Sequence, residues 1–347
     1  MADCVCGFYL IWHEKAARSF GGFSTINYYH DQPVLVTGGA GFIGSHLVRG
    51  LLAAGARVRV LENLSSSSEQ NIADVRSQLE FIHGDITSYE VCRRAAEGVQ
   101  TVFHLAARGS VPGSVADPLG YNAVNITGTL HILEAARQAG VKRVVYSASS
   151  SAYGDTAELP KREGMIPAPK SPYAAGKFAG EIYASVYAGV YGLSTVSLRY
   201  FNVFGARQNP KSHYAAVIPA FIAAGLESRR PSIFGDGLQT RDFCHVDNVV
   251  HANMLAGQCA APLAGEVVNV ACGQNISLLS LLEKIGALLG KNIVPEHLPP
   301  RPGDVRDSLA DIRRAAQLIG YEPKVYFDQG LERTVAWYRK EHQAAAP

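Results

Sequence analysis

No stretch of this 347-residue sequence approaches the ~20 consecutive apolar residues that a membrane-spanning helix needs, so an integral membrane protein is not expected. Charge of one sign is also missing. The 32 Lys and Arg nearly cancel the 30 Asp and Glu, and a formal net charge of +2 offers no electrostatic footprint for nucleic acid or an anionic lipid surface. Cysteine is sparse: six thiols, at positions 4, 6, 92, 244, 259 and 272, make no C-x-x-C pair and no histidine spacing that suits zinc. Neither a metal centre nor a disulfide framework is expected, and reduced thiols point to a cytoplasmic protein. The apolar "GFYLIW" near the N-terminus is short, follows Asp3 rather than a basic flank and lacks a small-residue cleavage site, so it does not read as a signal peptide. Residues 1–32 read as an N-terminal extension of unknown role.

What the chain has is alternation. Short β-branched runs occur at 34–37, 57–61, 79–83, 101–105, 143–148, 194–199 and 267–271, with helix-period segments such as "GSHLVRGLLAAG" and "NITGTLHILEAARQAG" between the early ones. Strands alternating with helices imply right-handed crossovers and a parallel sheet covered on both faces. The expected class is α/β: a Rossmann-type doubly wound parallel sheet with a smaller, discontinuous α/β substrate lobe. The texture turns richer in Pro, Gly and loops after residue 200, which places the sheet domain at 33–200 plus 243–272 and the smaller lobe at 201–242 plus 273–347.

The first strand runs into "TGGAGFIG", with Gly38, Gly41 and Gly44 at G-x-x-G-x-x-G spacing. At a strand–helix junction the three glycines permit a tight turn, close backbone approach to a pyrophosphate and close helix–strand packing. The helix start, at Phe42 and Ile43, then turns N–H groups toward the phosphates. About 20 residues on, Glu62 and Asn63 end the second strand. A carboxylate there accepts both ribose hydroxyls and repels a 2′-phosphate, which favours NAD over NADP. Asp85 and Ile86, ending the third strand, are placed to flank the adenine, a place that an ordinary turn aspartate also fits.

"SPYAAGK" puts Tyr173 and Lys177 four residues apart on a helix opened by a capping Ser171-Pro172 pair. With 16 Tyr and 10 Lys, chance supplies about half of one such pair, so the spacing alone decides nothing. The serine loop "YSASSSAYG" upstream gives it weight, because it delivers Ser149, Ser150 and Ser151 at a strand's carboxyl end, where open α/β sheets bind ligands. A free phenol, of pKa ~10, is a poor base at neutral pH. A neighbouring ammonium and a positively charged nicotinamide are both expected to draw it down.

The glycine turn, the serine loop and SPYAAGK together resemble the extended short-chain dehydrogenase/reductase superfamily, and within it the nucleotide-sugar epimerases, from about Pro33 to the C-terminus. The resemblance implies C4 epimerisation of a UDP-sugar by transient oxidation to a 4-keto sugar, with tightly held NAD, and with Ser149, Tyr173 and Lys177 as the catalytic group. It implies that "HLAARGSV" and "NITGT" surround the nicotinamide half of NAD, through Leu105, Ala106, Ala107 and Asn125, with Phe201 completing that wall and Gly109 facing the sugar. It implies that Ser150, Asn202 in "LRYFNVFGARQNP", Arg241 in "GDGLQTRDFCHVDNV", and Arg301 and Asp304 in "RPGDVRDSLAD" bind substrate. Any one of these arginines alone also reads as a surface salt bridge.

At Ser308 the resemblance places the residue that closes over the sugar's C2 substituent. A serine there leaves room for an acetamido group, which favours UDP-N-acetylglucosamine and UDP-N-acetylgalactosamine; an ordinary loop serine is the other reading. A UDP-glucose or UDP-glucuronate epimerase is the alternative, and a non-catalytic NAD-binding regulator the alternative of another class. A 4,6-dehydratase needs an acidic pair where this chain has Ser150-Ser151. The resemblance also implies a homodimer built on the helices around 125–138 and 172–191. Leu130, Leu133, Ala136, Tyr183, Val186 and Tyr187 suit such a face, and core packing explains them equally well.

Overall fold

The computed structural model describes residues 28–210, 216–299 and 305–344. The seven β-branched runs become β1 (Pro33–Thr37), β2 (Arg57–Glu62), β3 (Glu80–His83), β4 (Thr101–His104), β5 (Arg143–Ser149), β6 (Ser194–Tyr200) and β7 (Ala264–Val270). They form one sheet in the order β7-β6-β5-β4-β1-β2-β3, and every neighbouring pair is parallel. The order reverses between β1 and β4, and the crevice outside the carboxyl ends of these strands is where such sheets hold ligands.

The helices are α1 (Phe42–Ala53), α2 (Tyr89–Ala96), α3 (Thr129–Gln138), α4 (Pro172–Tyr191), α5 (Val217–Leu226), α6 (Val246–Gln258), α7 (Leu278–Leu289) and α8 (Phe327–Ala344), with shorter turns between them. Strand residues alternate faces. Val34 and Val36 pack with Leu47, Leu51, Val250 and Met254 of α1 and α6, while Leu35 packs with Cys92, Ile132 and Leu133 of α2 and α3. Both faces are therefore covered, as uninterrupted apolar strands require. β5, with all seven residues buried, is the clearest case. Among the described residues, no helix is long and apolar enough to cross a membrane.

A separate apolar cluster joins Phe221 and Ile222 of α5, Leu281 and Ile285 of α7, and Leu331 and Val335 of α8. On that cluster we propose the smaller lobe at 201–242 plus 273–347. The short helix Arg313–Ile319 does otherwise: Ala315 and Ile319 join the sheet core.

Of the six side chains expected on a helix face, five pack in or against the core and Val186 is exposed. Leu133, Ala136 and Tyr187 lie in the core, and Leu130 and Tyr183 pack against it. The reason is that α3 turns its apolar stripe to the sheet. The exposed apolar ridge lies on α4 alone of the two expected helices, where Ile182, Val186 and Val190 follow at i, i+4 and i+8.

Candidate active site

The glycine turn is built from close approaches. Gly38 has φ +69°, and a Cβ there would sit 2.8 Å from the Ala106 amide nitrogen. A Cβ on Gly44 would meet the Gly38 carbonyl oxygen at 2.1 Å, so α1 packs on the turn only because that position is bare. Gly41 caps α1, which opens with no capping side chain and no acidic residue in its first turn. Its first N–H groups, from Phe42 and Ile43, therefore face a cradle that suits an anion and that a side chain would fill.

Glu62 anchors this turn from the end of β2. Its carboxylate accepts from the amides of Ala40 (3.2 Å), Asn63 (3.0 Å) and Leu64 (2.9 Å). The Asn63 side chain donates in turn to Asp85 (2.6 Å), whose other oxygen takes the Thr87 amide and hydroxyl. Burial works to raise the Asp85 pKa, but the hydrogen bonds from Thr87 and Asn63 outweigh it and hold the carboxyl below its usual range. Ile86, also buried, packs on Gly128. The three strand ends thus form one hydrogen-bonded rim.

Across the crevice, Leu105, Ala106 and Ala107 leave β4 partly exposed, and Gly109 is open. The amides of Leu105 and Ala106 donate to the carbonyl and the hydroxyl of Thr37. Asn125 lies in a π turn (Ala123–Gly128), a widened turn of the kind common at functional sites. Its buried side chain accepts from the Arg108 amide (2.9 Å) and donates to the Arg108 carbonyl (3.0 Å).

The serine–tyrosine–lysine group comes together. Ser171 caps α4 by accepting from the Ala174 amide, and Pro172 occupies the first turn. Tyr173 is set beside Ser149 at the end of β5, whose hydroxyl works to lower the phenol's pKa, and the Ser149 Oγ accepts from the Ser151 amide and hydroxyl. Ser150, the next residue, is partly buried. Lys177 is buried, with Nζ donating to the Ser147 carbonyl (2.7 Å) and hydroxyl (3.2 Å) and lying 5.0 Å from the Tyr146 ring.

The electrostatics differ from expectation. Burial pushes the Tyr173 phenol up, and the Ser149 hydroxyl only partly offsets it. Burial lowers Lys177 to about 7, with Glu181 opposing. The ammonium is spent on β5 rather than on the phenol, so in this structure Lys177 does not draw Tyr173 down.

Other predicted residues separate into three groups. Phe201 is fully buried with Tyr153, Ala271 and Ala310, so its ring stays behind the crevice. Asn202 (φ +29°), a strained position for a residue with a side chain, donates to the Ser308 hydroxyl (3.0 Å) and the Asp242 carbonyl. The Ser308 Oγ also accepts from the Asp242 amide (3.3 Å), and Arg241 donates to the carbonyls of Thr240 and Arg306. The Ser308 amide donates to the Thr240 carbonyl (3.2 Å), and beside it the Leu309 carbonyl accepts from the Lys161 amide and the Asp311 amide donates to the Lys161 carbonyl. Arg301 and Asp304 lie outside the described residues.

Sequence reading missed Asp242, Glu181, Arg199 and His104. The Asp242 carboxylate is wholly buried, pushed up to about 6 by that burial, and accepts from the amides of Cys272, Gly273 and Ala310. It fastens the Asn202–Ser308 region to the end of β7. Its only signal in the sequence is adjacency to Arg241.

The sequence model of the NAD dependent epimerase/dehydratase family matches residues 34–271. A UDP-glucose 4-epimerase of Mycolicibacterium smegmatis is 42% identical over 313 residues, covering 89% of this chain and 99% of that one. A UDP-glucuronate 4-epimerase of Thermodesulfobacterium geofontis is 34% identical, covering 88% and 96%. Among solved structures, a UDP-N-acetylglucosamine 4-epimerase from Methanobrevibacter ruminantium, in complex with UDP-N-acetylmuramic acid, superposes with a TM-score of 0.85 at 40% identity, covering 90% of this chain and 99% of that one. A matched segment that spans the glycine turn, the rim and the serine–tyrosine–lysine group leaves one assignment: the chain belongs to the NAD dependent epimerase/dehydratase family, with NAD as its cofactor.

Proposed function

We propose that this protein interconverts UDP-sugars epimeric at C4, with UDP-N-acetylglucosamine and UDP-N-acetylgalactosamine as the preferred pair. The observation that carries the reading is the convergence of Ser149, Tyr173 and buried Lys177 at the carboxyl end of β5, on the same edge of the sheet as the glycine turn. The relatives named above support it, since all three act on UDP-sugars at C4 by their names.

Tyr173 Oη is the proton acceptor for the sugar's 4-hydroxyl, with the Ser149 hydroxyl in line to share that proton. NAD, when bound, supplies the hydride chemistry at C4, and its positive ring is the charge that would bring the raised phenol into working range. Lys177 orients by donating and holds the floor of the site to β5. Ser150 and Ser151 supply no acid–base pair, so elimination of water from the sugar has no agent here. Asn202 and Arg241 are the groups we assign to the diphosphate, Arg241 because a guanidinium matches phosphate oxygens in pairs. Anchoring through the diphosphate leaves the sugar able to turn and present its other face.

The N-acetyl preference rests on Ser308. Its side chain is a hydroxymethyl held by Asn202 and the Asp242 amide, where an aromatic ring would crowd a C2 substituent. Ser308→Tyr is expected to suppress the acetylated reaction at least about tenfold, the consequence of overpacking worth about 1–3 kcal/mol, while sparing the 2-hydroxyl pair. Ser308→Ala, which loses the hydrogen bonds without adding bulk, should keep the acetylated reaction. The test is product analysis with UDP-glucose, UDP-galactose, their N-acetyl forms and UDP-glucuronate, with no added reductant. No turnover of any of them refutes the enzyme reading, and parent-rate N-acetyl turnover by Ser308→Tyr refutes the gate.

We propose a homodimer through α4. Ile182, Val186 and Val190, with Val115 and Leu119 on the short helices before the π turn, are large apolar side chains left exposed. Light scattering is expected to give twice the chain mass at micromolar concentration, and Val186→Glu to give monomers.

A further inference from the structure

His104, the last residue of β4, is buried among groups to which the reaction assigns no task. Its ring nitrogens meet two threonine hydroxyls: Nδ1 lies 2.7 Å from Thr37 Oγ1, and Nε2 lies 3.0 Å from Thr129 Oγ1. Thr37, His104 and Thr129 are all at most 2% exposed. At that burial each polar hydrogen is expected to point at one of these protein acceptors, and the acceptors set the directions.

Thr129 Oγ1 is 2.8 Å from the Asn125 carbonyl oxygen, which only accepts, so the Thr129 hydrogen lies in that contact. Toward the ring, Thr129 must then accept, and His104 Nε2 carries the proton. Nδ1 is left as an acceptor, so the Thr37 hydroxyl donates to it. Thr37 Oγ1 in turn accepts from the Ala106 amide (3.1 Å). The result is a one-way chain: Ala106 N–H to Thr37, Thr37 to His104, His104 to Thr129, Thr129 to the Asn125 carbonyl. Both ends lie in segments that we assign to the nicotinamide half of NAD, and the Asn125 side chain closes the loop onto Arg108.

We propose that His104, as the neutral Nε2–H tautomer, is a positioning residue that clamps the 105–108 segment to the π turn and so sets the width of the nicotinamide site. This rests on the placement of NAD given above. The tautomer is compatible with the surroundings: burial, and then the nearby Lys177 charge, keep the ring from protonating until about pH 3. An imidazolium would need two acceptors, and the Thr37 hydroxyl would then lose its own. Phenylalanine fits the volume and breaks both contacts. Asparagine is too short to span them.

The relay itself is tested on the unaltered protein by nitrogen NMR of the histidine side chains at pH 7. A protonated Nε2 with an unprotonated Nδ1 at His104 is expected; an imidazolium or the opposite tautomer overturns the proposal. The clamp is tested by NAD retained through gel filtration. His104→Phe is expected to lose NAD at least about fivefold faster than the parent, the lower end of what one buried unsatisfied group costs. With NAD saturating, the KM for the sugar should stay at the parent value. Where His104→Phe does not fold, Thr129→Val gives the same reading, since it keeps the ring and removes one end of the chain, and Thr129→Ser should restore retention. Parent-rate NAD loss in the Phe or Val variant overturns the clamp, and a parent protein that carries no NAD overturns the placement on which it rests.

Discussion

Replacing Tyr173 with phenylalanine is expected to lower turnover of UDP-sugars roughly 10²–10⁴-fold, the span that a positioned proton acceptor contributes, while NAD content and melting temperature stay near those of the parent. The separation follows from the structure. The phenol's polar neighbour is Ser149, which keeps the Ser151 amide and hydroxyl as partners when the phenol is gone. The ring remains in place on α4, whose start is held by the Ser171 cap. Initial rates together with the NAD absorbance of purified variant check both halves. Turnover within a few-fold of the parent means the proton acceptor is another group. Lost NAD with lost turnover means Tyr173 is a cofactor support rather than the base.

The second large effect concerns stability, at the buried pair behind the site. Glu181 and Arg199 are each 3% exposed and meet through two hydrogen bonds, at 2.9 and 2.7 Å. Glu181 lies one helical turn after Lys177 on α4, and Arg199 lies on β6, so the pair ties this helix to the sheet. Arg199 also lies 4.5 Å from the Tyr153 ring, and its Nη1 has no hydrogen-bond partner. Glu181→Ala strands a buried guanidinium, which costs about 3–5 kcal/mol. A large drop in thermal midpoint is expected. Replacing both residues with methionine should recover most of it, because the penalty comes from the uncompensated charge rather than from a lost attraction. A midpoint within a degree of the parent for Glu181→Ala would show that water reaches Arg199 and that the pair does not hold the helix.

The parts of the protein visible in sequence are those governed by local rules. The seven strands were readable because a strand covered on both faces must be apolar along its length. The glycine turn was readable because close backbone approach excludes a side chain. The start of α4 was readable because a Ser-Pro cap is a short-range device. In each case the residues that carry the signal are also the residues that make the structure.

Where the outcome depended on residues far apart in the chain, reading failed or stayed open. Lys177 stands one turn from Tyr173, yet its ammonium is taken by the Ser147 carbonyl and hydroxyl on β5, 30 residues upstream, and burial moves both pKa values away from the values expected of exposed groups. Leu133 and Ala136 suited a dimer face by period, but a helix with one apolar stripe has only one core to give it to, and the sheet takes it. Asp242 and His104 read as ordinary residues in their segments. Their partners, at 272, 273 and 310 in one case and at 37 and 129 in the other, are set by which strand lies beside which.

The amino-acid sequence by itself therefore determined the class of sheet, the glycine turn, and which serine, tyrosine and lysine stand at the strand ends, since periodicity, bare backbone and spacing along one helix all act within a few residues. Only the tertiary structure decided which way burial moves the pKa values of the tyrosine and the lysine, which apolar face is left exposed, and what holds Asn202 and Ser308 in place. Desolvation and hydrogen-bond pairing depend on the distance between atoms in space, and that distance is set once the strands have taken their order.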